Sequence, residues 1–244
     1  MTNDVQRHYD DLLAAHYSWM SGLPFAQKVD EQRALLTELG VAPTGLAVDL
    51  GCGPGYQSCA LSDIGARTVL AVDTSRALLD ELAAAKGDRA IRTEQADLRA
   101  FTTLVAPGSA DAIACMGDTL PHLDHRGDVF RLFDDAHDRL CPGGWLVLTF
   151  RDLSAEPRGL DRFLPVRADD DRIMLCALDY APETVTVSDL IHVRSPEGWT
   201  LRKSSYRKLR LSPADLTAGL ERTGFSVTHD RACGRMHAIV ARKR

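Results

Sequence analysis

Three acids and three glycines carry the chemistry this sequence offers first. Gly51, Gly53 and Gly55 alternate at the end of the run AVDLGCGPG, a spacing that makes a turn of bare backbone able to approach a ligand closely. The third glycine comes one residue earlier than in the Gly-x-Gly-x-x-Gly of dinucleotide pockets. Asp49, inside the preceding apolar stretch, would repel a pyrophosphate and suits a cation such as an amino-acid ammonium. Asp73 ends the next apolar run, where an ionised carboxylate can accept from both hydroxyls of a ribose. Its other reading is an acid at the start of the helix that follows. Asp97 ends the third run; its carboxylate can accept from an exocyclic amine while the Leu98 amide donates to a ring nitrogen. A ligand with a base, a ribose and an amino-acid end, but no phosphate, satisfies the set.

Short apolar runs alternating with amphipathic stretches must position these residues. Leu46 to Leu50, Thr68 to Val72, Ala90 to Glu94, Ala110 to Met116 and Trp145 to Phe150 read as strands. Tyr56 to Asp63 and Ser75 to Lys86 read as helices, and Val129, Phe130, Phe133, Ala136 and Leu140 mark the apolar face of a further one. Near-continuous apolar strands between helices predict a mostly parallel sheet covered on both faces, with ligands at the carboxyl ends of its strands. Before it, Asp4 to Leu39 is helical in pattern with a break at Gly22 to Pro24. Tyr9, Tyr17 and Trp19 are the rings there able to line a pocket, although rings at helical spacing also serve as core.

After Arg151 the rhythm changes. Asp152 to Asp171, with Pro157, Pro165 and three consecutive acids, has loop composition. Arg172 to Tyr180, Glu183 to Val193 and Trp199 to Leu211 follow without helices between them, predicting a three-stranded antiparallel insertion. Its exposed edge is a candidate homo-oligomer contact. A helix from Ser212-Pro213 to Arg222 and an antiparallel hairpin of Phe225 to Arg231 and Met236 to Ala241 close the chain. The expected organisation is a helical lid (1–44), a core (45–151 and 212–244) and a β insertion (152–211) covering the acceptor pocket.

The chain has 244 residues, 45% hydrophobic and 26% charged, with 29 basic against 34 acidic side chains. That balance gives no electrostatic reason to expect nucleic acid as a partner. Arg207, Lys208, Arg210 and the terminal Arg242-Lys243-Arg244 read as solvated faces. The six cysteines show no CxxC pair and read as reduced core residues of a cytoplasmic protein. No run of about 18 apolar residues predicts a membrane span, and the polar N-terminus is not a signal sequence. His122-x-x-His125 lacks a third ligand in sequence, so no metal is expected.

Taken jointly, the motifs resemble those of class I methyltransferases dependent on S-adenosylmethionine. AVDLGCGPG resembles the first motif, VLAVDTS the second, QADL the third, DAIACMGDTLPHL the fourth and LCPGGWLVLTF the fifth-strand signature, over about Gly45 to Phe150. The resemblance implies a Rossmann-like, mostly parallel seven-stranded sheet with an antiparallel C-terminal hairpin. It also implies Asp49, Gly51, Cys52, Gly53 and Gly55 around the methionine part, Asp73 and Thr74 at the ribose, and Asp97 and Leu98 at the adenine. Met116, Gly117 and His122 would form the wall near the sulfonium.

A narrower resemblance is to the glycine and sarcosine N-methyltransferases. CMGDTLPHL is similar to their LGNSxxHL segment and FRD at Phe150 to Asp152 to their HRN, which implies Arg151 as the partner of a substrate carboxylate. Asp118 stands where that group has asparagine, and Phe150 where it has histidine. Asp118 favours an acceptor bearing an amine. A salt bridge to Asp118 or Asp152 is the other use for Arg151. His122 is the first candidate base, with Tyr206 and Asp118 behind it; Tyr17, Trp19, Asp118, Arg151 and Tyr206 are the candidate acceptor residues. The expected reaction is methyl transfer to a small molecule, on nitrogen ahead of oxygen. An NAD(P)-dependent oxidoreductase and a non-catalytic cofactor-binding protein are the competing readings.

Overall fold

The computed structural model describes residues 3–244; Met1 and Thr2 of the polar N-terminus lie outside them. Five strands, β1 (Leu46–Leu50), β2 (Thr68–Asp73), β3 (Ile91–Gln95), β4 (Ala110–Cys115) and β5 (Leu140–Phe150), run parallel in the order β3-β2-β1-β4-β5. The C-terminal hairpin, β10 (Phe225–Cys233) and β11 (Met236–Lys243), adds to β5 antiparallel through β11. This is the expected seven-stranded, Rossmann-like sheet.

Alternation along the strands sends side chains to two separate cores. Val48, Leu50, Val72, Ile113 and Leu148 pack with Phe101, Phe133 and Phe225, under α6 (Arg126–Arg139) and α7 (Pro213–Thr223). Ala47, Val69, Ala71, Ala112 and Val147 face α3 (Phe25–Glu38), α4 (Tyr56–Asp63) and α5 (Arg76–Ala85). The small residues on this second face let the helices approach closely. Helix starts follow local chemistry. The Ser75 hydroxyl accepts from Leu78 N (3.4 Å) to begin α5, and Ser212 accepts from Asp215 N (3.2 Å) ahead of Pro213 in α7.

A second sheet departs from expectation by one strand. It holds β6 (Phe163–Ala168), β7 (Arg172–Tyr180), β8 (Thr184–Ser195) and β9 (Gly198–Leu209), all antiparallel and in that order. Pro165 disguised β6 as loop. A proline is tolerated there because β6 is an edge strand, and the register shifts between Pro165 and Arg167.

The N-terminal segment forms α1 (Asn3–His8), one π-helical stretch (Tyr9–Leu13) and α2 (Ala14–Ser21), ended by Gly22 at φ 80°. Its apolar face rests on the inner face of the second sheet. Val5 and Tyr9 meet Leu178, Val187 and Tyr206, while Leu12 and Leu13 meet Met174 and Ile191. No described helix is long and apolar enough to cross a membrane.

Candidate active site

The carboxyl ends of β1, β2 and β4 open into one cleft. It holds about 640 Å³ of space between atoms, mouth included, and is lined by the glycine loop, Asp73, Thr74, Leu98, Met116, Gly117 and His122, with Tyr9 and Tyr17 from the N-terminal helices. The sequence-predicted cofactor residues therefore largely converge. Pro54, Tyr56, Gln57, Leu78, Ala96 and Thr119 line it as well. Sequence reasoning missed them because single residues at helix starts and in loops after strands, polar or apolar, carry no chemical signature of their own.

Backbone contacts shape the loop. Gly51 N and Cys52 N donate to Val72 O (2.8 and 3.1 Å), and Gly53 N donates to an Asp73 oxygen (2.8 Å). The glycines have different reasons for being there. Gly51, at φ 73°, leaves the space taken by the Thr119 side chain, and a Cβ there would sit 2.2 Å from its methyl. Gly55, at φ 93°, faces Leu82 at the same distance; it does not line the cleft but lets α4 start beneath it. Gly53 opens toward the cleft, with the Tyr17 ring 3.8 Å from where a Cβ would stand.

The acids divide sharply. Asp73 accepts from Gly53 N and Ser75 N, one bond on each oxygen, which leaves acceptor capacity on both for a diol. Burial raises its pKa against those backbone bonds. Asp49 does not line the cleft. It shares the strand face that carries Ala47 toward α4, where it accepts from Ser58 Oγ at 2.6 Å and burial pushes its carboxyl up to about 7. Asp97 turns away too. Arg99 grips both its oxygens (3.0 and 2.7 Å); burial works to raise this carboxyl, but the Arg99 bonds hold it below the usual range. At this end of the cleft Ala96 and Leu98 form the wall.

Beside the cleft, Asp118 after β4 and Arg151 after β5 meet β9 of the second sheet. Asp118 has φ 75° and is buried; its carboxylate accepts from Arg151 N (2.9 Å) and from Lys208 Nζ of β9 (2.5 Å), with Arg151 Nε at 3.6 Å. Burial alone would raise this carboxyl, but Lys208 and then Arg151 lower it. Arg151 thus takes the salt-bridge role weighed from sequence, while half of its side chain stays exposed. Lys208, read as part of a solvated strand, is buried instead. Its position four residues before Ser212 in a charged run gave no sign of that.

His122 lines the cleft with its Nδ1 buried and unpartnered. Burial, then Lys208, pushes its pKa down to about 3, which favours the neutral imidazole. Tyr206 lies behind it, stacked at 5.3 Å between ring centroids and buried rather than on the cleft. Burial raises the phenols of Tyr206, Tyr9 and Tyr17. Trp19 is elsewhere: its ring lies beneath the Arg167 and Arg172 guanidinia, and its indole N–H donates to Asp169.

The cleft fits S-adenosylmethionine on its own chemistry: a carboxylate with spare acceptor sites, a glycine backbone loop, an apolar wall and an aromatic end. Residues 47–144 match the family described as "Methyltransferase domain". The chain is 31% identical over 137 residues to the cypemycin N-terminal methyltransferase of a Streptomyces species, a stretch covering 51% of this chain and 54% of that one. It superposes on the CcbJ methyltransferase of Streptomyces caelestis over 98% of both chains, with TM-score 0.78 and 22% identity. On S-adenosylmethionine-bound CalS10, an amino pentose methyltransferase from Micromonospora echinaspora, the TM-score is 0.69 with 18% identity over 94% of this chain and 96% of that one.

The superpositions show the fold of these methyltransferases, with a cleft whose lining fits S-adenosylmethionine. The family match itself is confined to residues 47–144. None of these three relatives singles out the glycine and sarcosine group.

Proposed function

We propose that this protein methylates an amine of a small-molecule acceptor. The observation that carries nitrogen over oxygen is the lack of a strong base among the described residues lining the cleft. His122 is held neutral, with its pKa at about 3. Asp73 is engaged by two backbone amides. Asp118, beside the cleft and outside its lining, is already paired with Lys208. A hydroxyl acceptor needs a base, whereas an amine that arrives neutral does not. The names of the cypemycin N-terminal and amino pentose methyltransferases support the same reading.

When bound, S-adenosylmethionine supplies an activated sulfonium methyl. Asp73 would accept from the ribose hydroxyls, Leu78, Ala96 and Leu98 would flank the base, and the loop from Gly51 to Gly53 would follow the methionine part. Tyr9 and Tyr17 would exclude water, and neutral His122 would accept an N–H of the incoming amine and so orient its lone pair. Such alignment corresponds to effective molarities of roughly 10⁵ to 10⁸ M in favourable cases. The exposed half of Arg151 is available to a carboxylate on the acceptor.

The test is release of S-adenosylhomocysteine with paired acceptors, amino sugars and amino-acid amides against their hydroxyl counterparts. Amines should turn over and hydroxyls should not. Turnover of the hydroxyl member alone would overturn the nitrogen assignment.

A further inference from the structure

Behind the acceptor wall lies a polar pair that no step above uses. His8, at the end of α1, meets Asp189 of β8 with Nε2 and Oδ2 2.9 Å apart, and both side chains are about 1% exposed. The other Asp189 oxygen accepts from the Cys176 thiol of β7 at 2.6 Å. On this sheet face Asp189 lies among the apolar Met174, Leu178, Val187 and Ile191, with Ser204 of β9 as its cross-strand partner. A polar pair buried there costs desolvation that an apolar pair would avoid, and its distinctive contribution is a fixed geometry.

What that geometry fixes is a row of rings. The His8 imidazole lies 4.3 Å from the Tyr206 ring, and Tyr206 lies 5.3 Å from His122 at 26° between planes. Tyr9, the residue after His8, sets its edge toward His122 at 6.0 Å and lines the cleft. Three separate segments, α1, β9 and the loop after β4, therefore meet in one stack anchored at its far end by Asp189. Other polar ties of these N-terminal helices, Arg202 to Asp11 O, Ser18 to Glu81 and Trp19 to Asp169, are exposed and hold less firmly.

We propose that His8 and Asp189 are positioning residues, a buried latch that sets Tyr206 and His122 in register with Tyr9 at the acceptor end of the cleft. The latch rests on the methyl-transfer reading for its purpose, but its geometry is tested without turnover. The double variant His8→Leu/Asp189→Leu replaces the pair with apolar groups and should fold at least as stably as the parent. Two readouts then decide.

The ring-proton NMR signals of His122, which feel the Tyr206 ring, should move in the double variant and in His8→Leu. They should stay near the parent's in Asp189→Asn, which keeps a partner for His8. Affinity for S-adenosylhomocysteine by calorimetry should fall about tenfold in the double variant, as Tyr9 loosens, a loss of about 1.4 kcal/mol. A stable double variant with unmoved His122 signals and unchanged affinity would overturn the latch. Failure of the parent protein itself to bind S-adenosylhomocysteine would instead overturn the functional reading, with the His122 signals still deciding the latch.

Discussion

The two sides of the cleft are held in different ways. On the cofactor side the shape comes from backbone bonds between adjacent strand ends: Gly51 N and Cys52 N to Val72 O, Gly53 N to Asp73, and Ala96 N to Asp73 O. On the acceptor side it comes from buried side-chain pairs between distant segments. Lys208 reaches Asp118 across 90 positions and His8 reaches Asp189 across 181. A backbone-built wall can be shared by many sequences of one fold, because it demands only glycines and an acid at set places. A wall built from side-chain pairs demands matched partners at distant positions, and the proposed acceptor site abuts it.

The largest effect should follow from breaking the acceptor side at Lys208. Lys208→Ala leaves the Asp118 carboxylate buried with only Arg151 beside it, and uncompensated buried charges typically cost about 3–5 kcal/mol. Chemical denaturation should show a loss near the lower end, since Arg151 remains in place. S-adenosylhomocysteine affinity of the folded fraction should stay close to the parent's. A tenfold affinity loss would show that the two sides are not separable.

The complementary break is Asp73→Ala. It removes the proposed partner of both ribose hydroxyls, and hydrogen bonds to a charged group contribute about 1.5–3 kcal/mol each. Calorimetry should record a loss of roughly a hundredfold in S-adenosylhomocysteine affinity. Unchanged affinity would remove Asp73 from the site altogether.

Asp49 sharpens the contrast from inside the cofactor side, because it was expected at the ligand and serves the core. Its folded pKa of about 7 lies above an unfolded value of about 3.9. Between those values the folded state holds a proton that the unfolded state has lost. Stability from this group is therefore full below about pH 4 and falls by about 1.4 kcal/mol per pH unit up to about pH 7. Asp49→Asn cannot ionise and should escape that fall, so thermal melting should favour the variant at pH 8 and match the parent near pH 4. Parallel pH trends in the two proteins would show that Asp49 is ionised in the fold.

These contrasts also explain what the sequence made legible. Strand-helix alternation, the glycine loop and the ordered acids were readable because each is a pattern within a few residues, and the sheet and most of the cleft followed from them. Strand β6 was not, since Pro165 argues against a strand unless its place at the edge is known. Lys208 and the His8–Asp189 pair were not, since a charge on a strand and a histidine on a helix look solvated until the partner element is placed. The direction of a carboxylate was likewise out of reach. Asp49 lies within its apolar run and Asp73 ends its own, yet only the pairing of faces sends one to Ser58 and the other to the cleft.

The smallest effect is expected at Asp97, and it tests where the cofactor side ends. Sequence position alone makes this residue the equal of Asp73, an acid after a strand beside a backbone amide. In the fold both its oxygens are engaged by Arg99, which also contacts Asp124 at 2.9 Å. For Asp97 to accept from an adenine amine it would have to loosen a two-point grip that already lowers its pKa. Asp97→Ala should therefore change S-adenosylhomocysteine affinity by no more than about twofold, and stability by at most about 1 kcal/mol, as expected for a partly exposed ion pair. A tenfold loss of affinity would mean that the carboxylate leaves Arg99 when the cofactor binds. The Asp97–Arg99 pair would then be a switch at the adenine end, and the cofactor side, like the acceptor side, would depend on a side-chain pair.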